Sequence, residues 1–146
     1  MNGKSILVVD DNPDHLELTS TTLQEQGGNA EILLAPNGEA ALDYLFGQGA
    51  FAGRDVHSQP ILVLLDLKLL NLSGLDVLRR IRAHPATALV PVVMLTSSSE
   101  RSDMLASYRN GANSYVCKPV NFAEFTRKLE VLKAFWLGVN EVVVTA

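Results

Sequence analysis

Apolar residues gather along the chain in five short runs, Ile6 to Val9, Ile32 to Ala35, Ile61 to Leu65, Val90 to Leu95 and Tyr115 to Cys117, each of strand length. The first, third and fourth runs do not alternate with polar residues, as expected of strands covered by helices on both faces. Between the runs the apolar spacing turns helical. A first helix opens at Asn12-Pro13, a capping side chain followed by the residue best tolerated in a first turn, and ends at Gly27-Gly28. A second opens at Asn37 and buries Ala41, Leu42 and Leu45. A third turns Leu75, Leu78 and Ile81 inward and stops before Pro85. Ser99 caps a fourth, which carries Met104, Leu105 and Tyr108 and closes at Asn110-Gly111. Asn121, with Glu124 three residues on, resembles a capping box and starts the last and longest helix. Strand and helix alternate throughout, which predicts an α/β fold: a doubly wound parallel sheet with right-handed crossovers. Ligands of such folds bind at the carboxyl ends of the strands.

Composition narrows the class. The 146 residues, 47% of them hydrophobic, suit one domain that buries its own core without disulfides or a structural metal. Cys117 stands alone, with no paired spacing for a disulfide framework or a zinc site, and fits a reducing cytoplasm. No apolar run approaches the ~20 residues of a membrane span, and the first is too short for a secretory core. A cytoplasmic protein without membrane attachment is expected. The formal net charge of −4, with scattered lysines and arginines, lacks the footprint of direct nucleic-acid binding. Gly47 to Pro60 is longer than the roughly two to six residues usual between such elements. It reads as a partner-binding element or as a mobile insertion.

The tips of the strands carry the chemistry. In strand order they are Asp10 and Asp11, then Asp66, then Thr96 and Ser97, then Lys118. Carboxylates gathered at one sheet end repel, by ~4 kcal/mol for a pair about 4 Å apart at an effective dielectric near 20, so a cation is expected among them. Few carboxylates, with room for water and phosphate oxygens, suit Mg2+ better than Ca2+. A hydroxyl and an ammonium on neighbouring strands can hold the outer oxygens of a transferring phosphoryl group, with Asp66 as nucleophile. Any one of these aspartates alone is as readily a turn former or helix cap. Their combination, in order and in phase, is what points to a single site.

With these pieces in place, ILVVDD at 6 to 11, LVLLDL around Asp66, SGLDVL after it, VVMLTS ending at Ser97 and GANSYVCKP ending at Pro119, the chain resembles the receiver domains of two-component response regulators over about residues 4 to 135. The long loop before the third strand and the tail containing Phe135-Trp136-Leu137 are most similar to small single-domain regulators serving phytochrome-like histidine kinases. The resemblance implies a flavodoxin-like (βα)5 fold with strand order 2-1-3-4-5. It also implies that Asp66 accepts a phosphoryl group from a sensor histidine kinase and later loses it to water. Asp11 and Asp66 bind Mg2+ directly, with the backbone carbonyl of Lys68, and Asp10 acts through water. Lys118 pairs with the phosphoryl group, from a Lys-Pro peptide that is typically cis. Thr96 and Tyr115 form a switch pair acting on the surface of the fourth helix, fifth strand and fifth helix. The side chains of Lys68 and Ser98 tune phosphate lifetime. Such a protein is a signalling module, promoting its own phosphorylation and dephosphorylation, and not an enzyme with a separate substrate. Two departures stand out: Leu70 occupies a position where many relatives have proline, and Lys68 adds a positive charge beside the site.

Three other readings compete. A haloacid-dehalogenase-like Mg2+ phosphatase needs a second aspartate two residues after its nucleophile, and position 68 is lysine. A flavodoxin-like electron carrier needs a phosphate loop that DDNPD would repel. An interaction module that is never phosphorylated has no reason to keep Asp10, Asp11, Asp66, Thr96 and Lys118 together. His15, His57 and His84 share no spacing that suggests chemistry and read as surface residues.

The expected organisation is a receiver domain over 1–135 and a tail over 136–146 without an effector domain. Phe122, Phe125, Leu129, Leu132 and Trp136 make an apolar stripe that reads as core, while Val131, Phe135, Val139 and the strand-like Val142-Val143-Val144 form a second apolar surface. That second surface predicts a homodimer through the last helix and tail. A tail that folds back on its own sheet or stays disordered is the alternative.

Overall fold

The computed structural model describes residues 3–143. The apolar runs become β1 (Ser5–Val9), β2 (Glu31–Ala35), β3 (Leu62–Leu65), β4 (Val92–Thr96) and β5 (Ser114–Cys117), paired in parallel in the order β2-β1-β3-β4-β5. Alternate residues of a strand point to opposite faces, so a strand with helices on both sides must be apolar at every position. In β1, Leu7 and Val9 join the core on one face, and Ile6 and Val8 join the core on the other. β3 and β4 are likewise buried along their whole lengths. Each buried valine, leucine or isoleucine is worth about 1.5–3 kcal/mol relative to exposure, so these three strands dominate the stability of the sheet.

The helices are α1 (Pro13–Glu25), α2 (Gly38–Phe46), α3 (Gly74–Ala83), α4 (Arg101–Arg109) and α5 (Phe122–Ala134), the last continuing as one π-helical turn over Phe135–Val139. α2 and α3 pack on the face of Leu7 and Val9, and α1 and α5 on the face of Ile6 and Val8. Several caps are the expected ones. The side chain of Asn12 accepts from the N–H groups of Asp14 and His15, that of Asn37 from Ala40, and that of Asn121 from Glu124. Gly74, at the start of α3, has no alternative. A Cβ there would stand 2.2 Å from the Asp66 carbonyl oxygen and 2.8 Å from Leu67 Cα. This contact seats α3 directly on the chain leaving Asp66.

The register of the apolar stripes differs from expectation in three helices. In α3 the fully buried residues are Val77, Leu78 and Ile81, and Leu75 is half-buried, because the helix is rotated to bring Gly74 and Val77 together on the sheet. α4 starts without a capping hydrogen bond from the side chain of Glu100. Ser98, and not Ser99, serves its first turn, donating to the Asp103 carboxylate at 2.5 Å and accepting from Glu100 N–H. Tyr108 lies exposed, and Ser107 is the buried residue of α4. In α5 the stripe begins at Phe125, since Phe122 in the first turn projects past the edge of the sheet and is 62% exposed.

The segment Gly47 to Pro60 is tied down. The Arg54 guanidinium donates to the carbonyls of Tyr44, Leu45, Asp55 and Ser58, and lies 4.0 Å over the Tyr44 ring. This closes the carboxyl end of α2 and leaves no freely moving insertion. In the tail, Trp136 completes the α5 core, and the Leu137 carbonyl accepts from Lys4 Nζ at 2.8 Å. Val142 and Val143 line a groove of about 300 Å³ with Gly3, Lys4, Pro60 and Leu89, so the tail turns back to the amino-terminal edge of its own sheet as far as Val143. Val144, the last residue of the expected strand-like run, is outside the described residues. No helix among the described residues is long and apolar enough to cross a membrane.

Candidate functional site

Parallel strands bring their carboxyl ends to one edge of the sheet, and the register fixes which residues meet there. Val9 of β1 pairs with Leu65 of β3, so Asp10 and Asp66 leave the sheet side by side. Thr96 pairs with Cys117, which sets Lys118 beside them, with its N–H bonded to the Thr96 carbonyl at 2.7 Å. Thr96 is the last residue of β4 and wholly buried.

The Lys118 ammonium stands at the centre. It lies 2.5 Å from Asp10 Oδ2 and 3.1 Å from Asp66 Oδ2. The three side chains are 7%, 4% and 12% exposed, so little water screens them. The other oxygen of each carboxylate accepts a backbone N–H two residues on, from Asn12 to Asp10 and from Lys68 to Asp66. No cis peptide bond occurs among the described residues. Lys118 therefore precedes Pro119 through a trans bond, and its place follows from the Thr96 contact and its two carboxylate partners.

Asp11 is drawn elsewhere. Its Oδ2 accepts from the backbone N–H of Leu70 at 2.9 Å, joining the loop after β1 to the loop after β3. Among the described residues no group of three or more histidine, cysteine, aspartate or glutamate side chains is arranged to hold a metal ion. The expected three-carboxylate cluster is thus not preassembled. Lys118 engages two of its members and the Leu70 N–H holds the third. The donor set still fits a divalent cation. Three carboxylates against one ammonium leave two formal negative charges, which one such ion balances.

Around this centre the expected switch residues form a second network. The Tyr115 hydroxyl donates to the Ser98 carbonyl at 2.9 Å, and Cys117 Sγ approaches the same oxygen at 3.3 Å. Burial pushes the Tyr115 phenol above its ordinary value, while its hydrogen bond to Ser98 pulls the other way. Thr96 Oγ1 accepts weakly from Ser98 N–H at 3.4 Å. Lys68 points away from Asp66, its Nζ 3.5 Å from the Asp103 carboxylate that Ser98 also holds. Ser97 lines a cleft of about 390 Å³ with His15, Lys118, Pro119 and Phe125, opening beside the Lys118 ammonium.

His15 is the residue that sequence reasoning placed wrongly. Its Nδ1 lies 3.3 Å from Lys118 Nζ, so it belongs to the site and not to the bulk surface. The available signal was its position in the first turn of α1, which starts at the same sheet edge as Asp10. His57 is exposed, and His84 stacks on Phe46 with its Nδ1 accepting from Ala86 N–H.

The chain is similar to known proteins over nearly its whole length. Residues 6–130 match the family model of the response regulator receiver domain. The probable methanogenesis regulatory protein FilR2 of Methanothrix harundinacea is 39% identical over 136 residues, covering 92% of this chain and 84% of FilR2. Among solved structures, the phosphorylated cyanobacterial phytochrome response regulator RcpA superposes with a TM-score of 0.89 at 30% identity, over 97% of this chain and 99% of RcpA. The Mn2+-bound form of response regulator Rcp1 gives 0.87 at 30% identity, with the same coverage.

Proposed function

The chain belongs to the response regulator receiver domain family, and from that membership we propose that it is a phosphorylation-controlled signalling protein whose acceptor is Asp66. The observation that carries the reading is the buried Lys118 ammonium shared between Asp10 and Asp66. Such an arrangement has a structural use, but it also places a nucleophile beside a positive charge at the end of a cleft.

In this reading an Asp66 carboxylate oxygen attacks the phosphorus of a phosphohistidine on a sensor kinase. The P–N bond breaks, its electron pair leaves with the imidazole nitrogen, and an acyl phosphate forms on Asp66. The Lys118 ammonium turns from the carboxylates to the phosphoryl oxygens, and the Thr96 hydroxyl donates to another of them. Asp10, Asp11, Asp66 and the Lys68 backbone carbonyl are the groups that would hold Mg2+, which supplies the charge neutralisation an incoming phosphate dianion requires. The Mn2+-bound form of Rcp1 supports a divalent ion in this family. The aspartyl phosphate is later hydrolysed, with Lys68 and Ser98 setting the rate from the mouth of the site.

Output runs through Ser98. Movement of Thr96 toward the phosphoryl group disturbs the loop whose Ser98 carbonyl holds Tyr115, and the change passes to α4, β5 and α5. RcpA is a phytochrome response regulator, and the likeness over nearly the whole chain supports a phytochrome-like kinase and a cytoplasmic place of action. Val131, Phe135 and Val139 are 58%, 44% and 67% exposed, an apolar face that supports homodimerisation through α5. The tail from Val142 to Val143 lies against its own chain, so the proposed contact is the face of α5 and the helical turn over Phe135–Val139. Incubation with acetyl phosphate and Mg2+, followed by intact-mass measurement, tests the reading. One added phosphoryl group on the wild type and none on Asp66→Asn is expected; equal labelling of the two overturns it.

A further inference from the structure

We propose that the hydrogen bond from Leu70 N–H to Asp11 is a latch that divalent metal must open, so that metal capture at the site and release of the loop after β3 are one event. The proposal rests on the site reading above and adds a residue to it.

The bond needs a residue other than proline at position 70. A proline at position 70 has no N–H and could not make it. Leu70 has one, and it lies 2.9 Å from Asp11 Oδ2 across 59 residues of sequence. A hydrogen bond to a carboxylate is among the stronger kinds because the acceptor is charged. While it is made, the Asp11 carboxylate is aimed at the loop, and the three aspartates do not form a metal-holding group among the described residues. Asp10 and Asp66 each have an N–H from their own loop, two residues away, and these short-range bonds move with the carboxylates they serve. The Asp11 bond differs in joining two separate loops. Turning Asp11 inward breaks it.

The loop it holds is exposed at its tip, at Leu70 and Asn71, next to Leu69, which is buried in the core. The Leu70 side chain is 73% exposed, and Asn71 sits at φ 65°, a left-handed conformation unusual for a non-glycine residue. The same loop carries Lys68, whose backbone carbonyl is a proposed metal ligand and whose ammonium reaches Asp103 on α4. Opening the latch therefore frees the segment that links the acceptor site to α4.

Two substitutions separate the backbone N–H from the side chain. Leu70→Pro removes the donor. Leu70→Ala keeps the donor and loses only exposed side chain. Mn2+ binding is read from the loss of the free-ion electron paramagnetic resonance signal, and Mg2+ binding by competition. Leu70→Pro is expected to bind Mn2+ about ten-fold more tightly than wild type, and Leu70→Ala within about two-fold of it. Equal or weaker binding by Leu70→Pro overturns the latch, since it would show that the bond is neutral or helps to orient Asp11. Failure of every protein, wild type included, to bind Mn2+ overturns the site reading itself. A second measurement needs no variant: the Leu70 amide of the wild type should exchange with solvent several-fold faster in saturating Mg2+ than without it. Unchanged protection contradicts the proposal even if Leu70→Pro does not fold.

Discussion

Replacing Lys118 by methionine keeps most of the side-chain volume and removes the charge, leaving Asp10 and Asp66 facing each other. Their Oδ2 atoms, at 2.5 and 3.1 Å from the same nitrogen, lie no more than about 5.6 Å apart. At that separation two unit charges repel by ~3 kcal/mol at an effective dielectric near 20. Removing one partner from a buried ion pair generally costs about 3–5 kcal/mol, which agrees in size and sign. Against a typical domain stability of roughly 5–15 kcal/mol, the loss is large and measurable by urea unfolding without metal. Mg2+ should then recover much of it, because a ligand at about a hundred times its dissociation constant stabilises by ~2.7 kcal/mol. The wild type should gain less at the same concentration, since its own ammonium already occupies two of the oxygens the metal needs. A Lys118→Met protein within about 0.5 kcal/mol of wild type, or one whose loss Mg2+ does not relieve, would refute the electrostatic account of the site.

Three further outcomes are expected. Lys68→Ala should shorten the life of the aspartyl phosphate, and Asp103→Asn, which frees Lys68 from its 3.5 Å partner, should lengthen it; a decay assay in which both match wild type removes Lys68 from the site. Tyr115 should ionise above the ordinary tyrosine range in an alkaline absorbance titration and that step should vanish in Tyr115→Phe; because its folded value is raised, the stability it contributes persists up to about pH 10 and falls as pH rises through that folded value. Val131→Lys with Phe135→Glu should convert a dimer to a monomer in sedimentation at micromolar concentration while leaving Trp136 in its core, and equal masses would remove α5 as the contact.

The architecture was legible because its main signals are local. Runs such as Ile6 to Val9 and Leu62 to Leu65 are apolar at successive positions only where both faces are covered, and Asn12, Asn37 and Asn121 mark helix starts by side-chain chemistry. The residues of the site were legible for a related reason: each strand delivers the residue at its own carboxyl end, so order in the sequence becomes proximity in space. Geometry between elements was not. Helical counting put Tyr108 and Phe122 inside, although each lies where its helix overhangs the sheet. His15 reaches Lys118 only through the packing of α1 on β1 and against α5, a contact between residues 103 apart. The Leu70 bond to Asp11 uses a backbone donor that every residue but proline carries, so its only trace in the sequence is the absence of proline. The fold-back of the tail is set by the groove beside Lys4 and Leu89, which does not exist until the sheet has formed.

The central claim is that the phosphoryl group resides on Asp66 and nowhere else. After phosphorylation by acetyl phosphate in Mg2+, borohydride reduction converts an aspartyl phosphate to homoserine, and peptide mass mapping locates the converted residue. The account predicts a single homoserine at position 66 and none when Mg2+ is withheld. Homoserine at position 10 or 11, or conversion at 66 that proceeds equally well without metal, would contradict it.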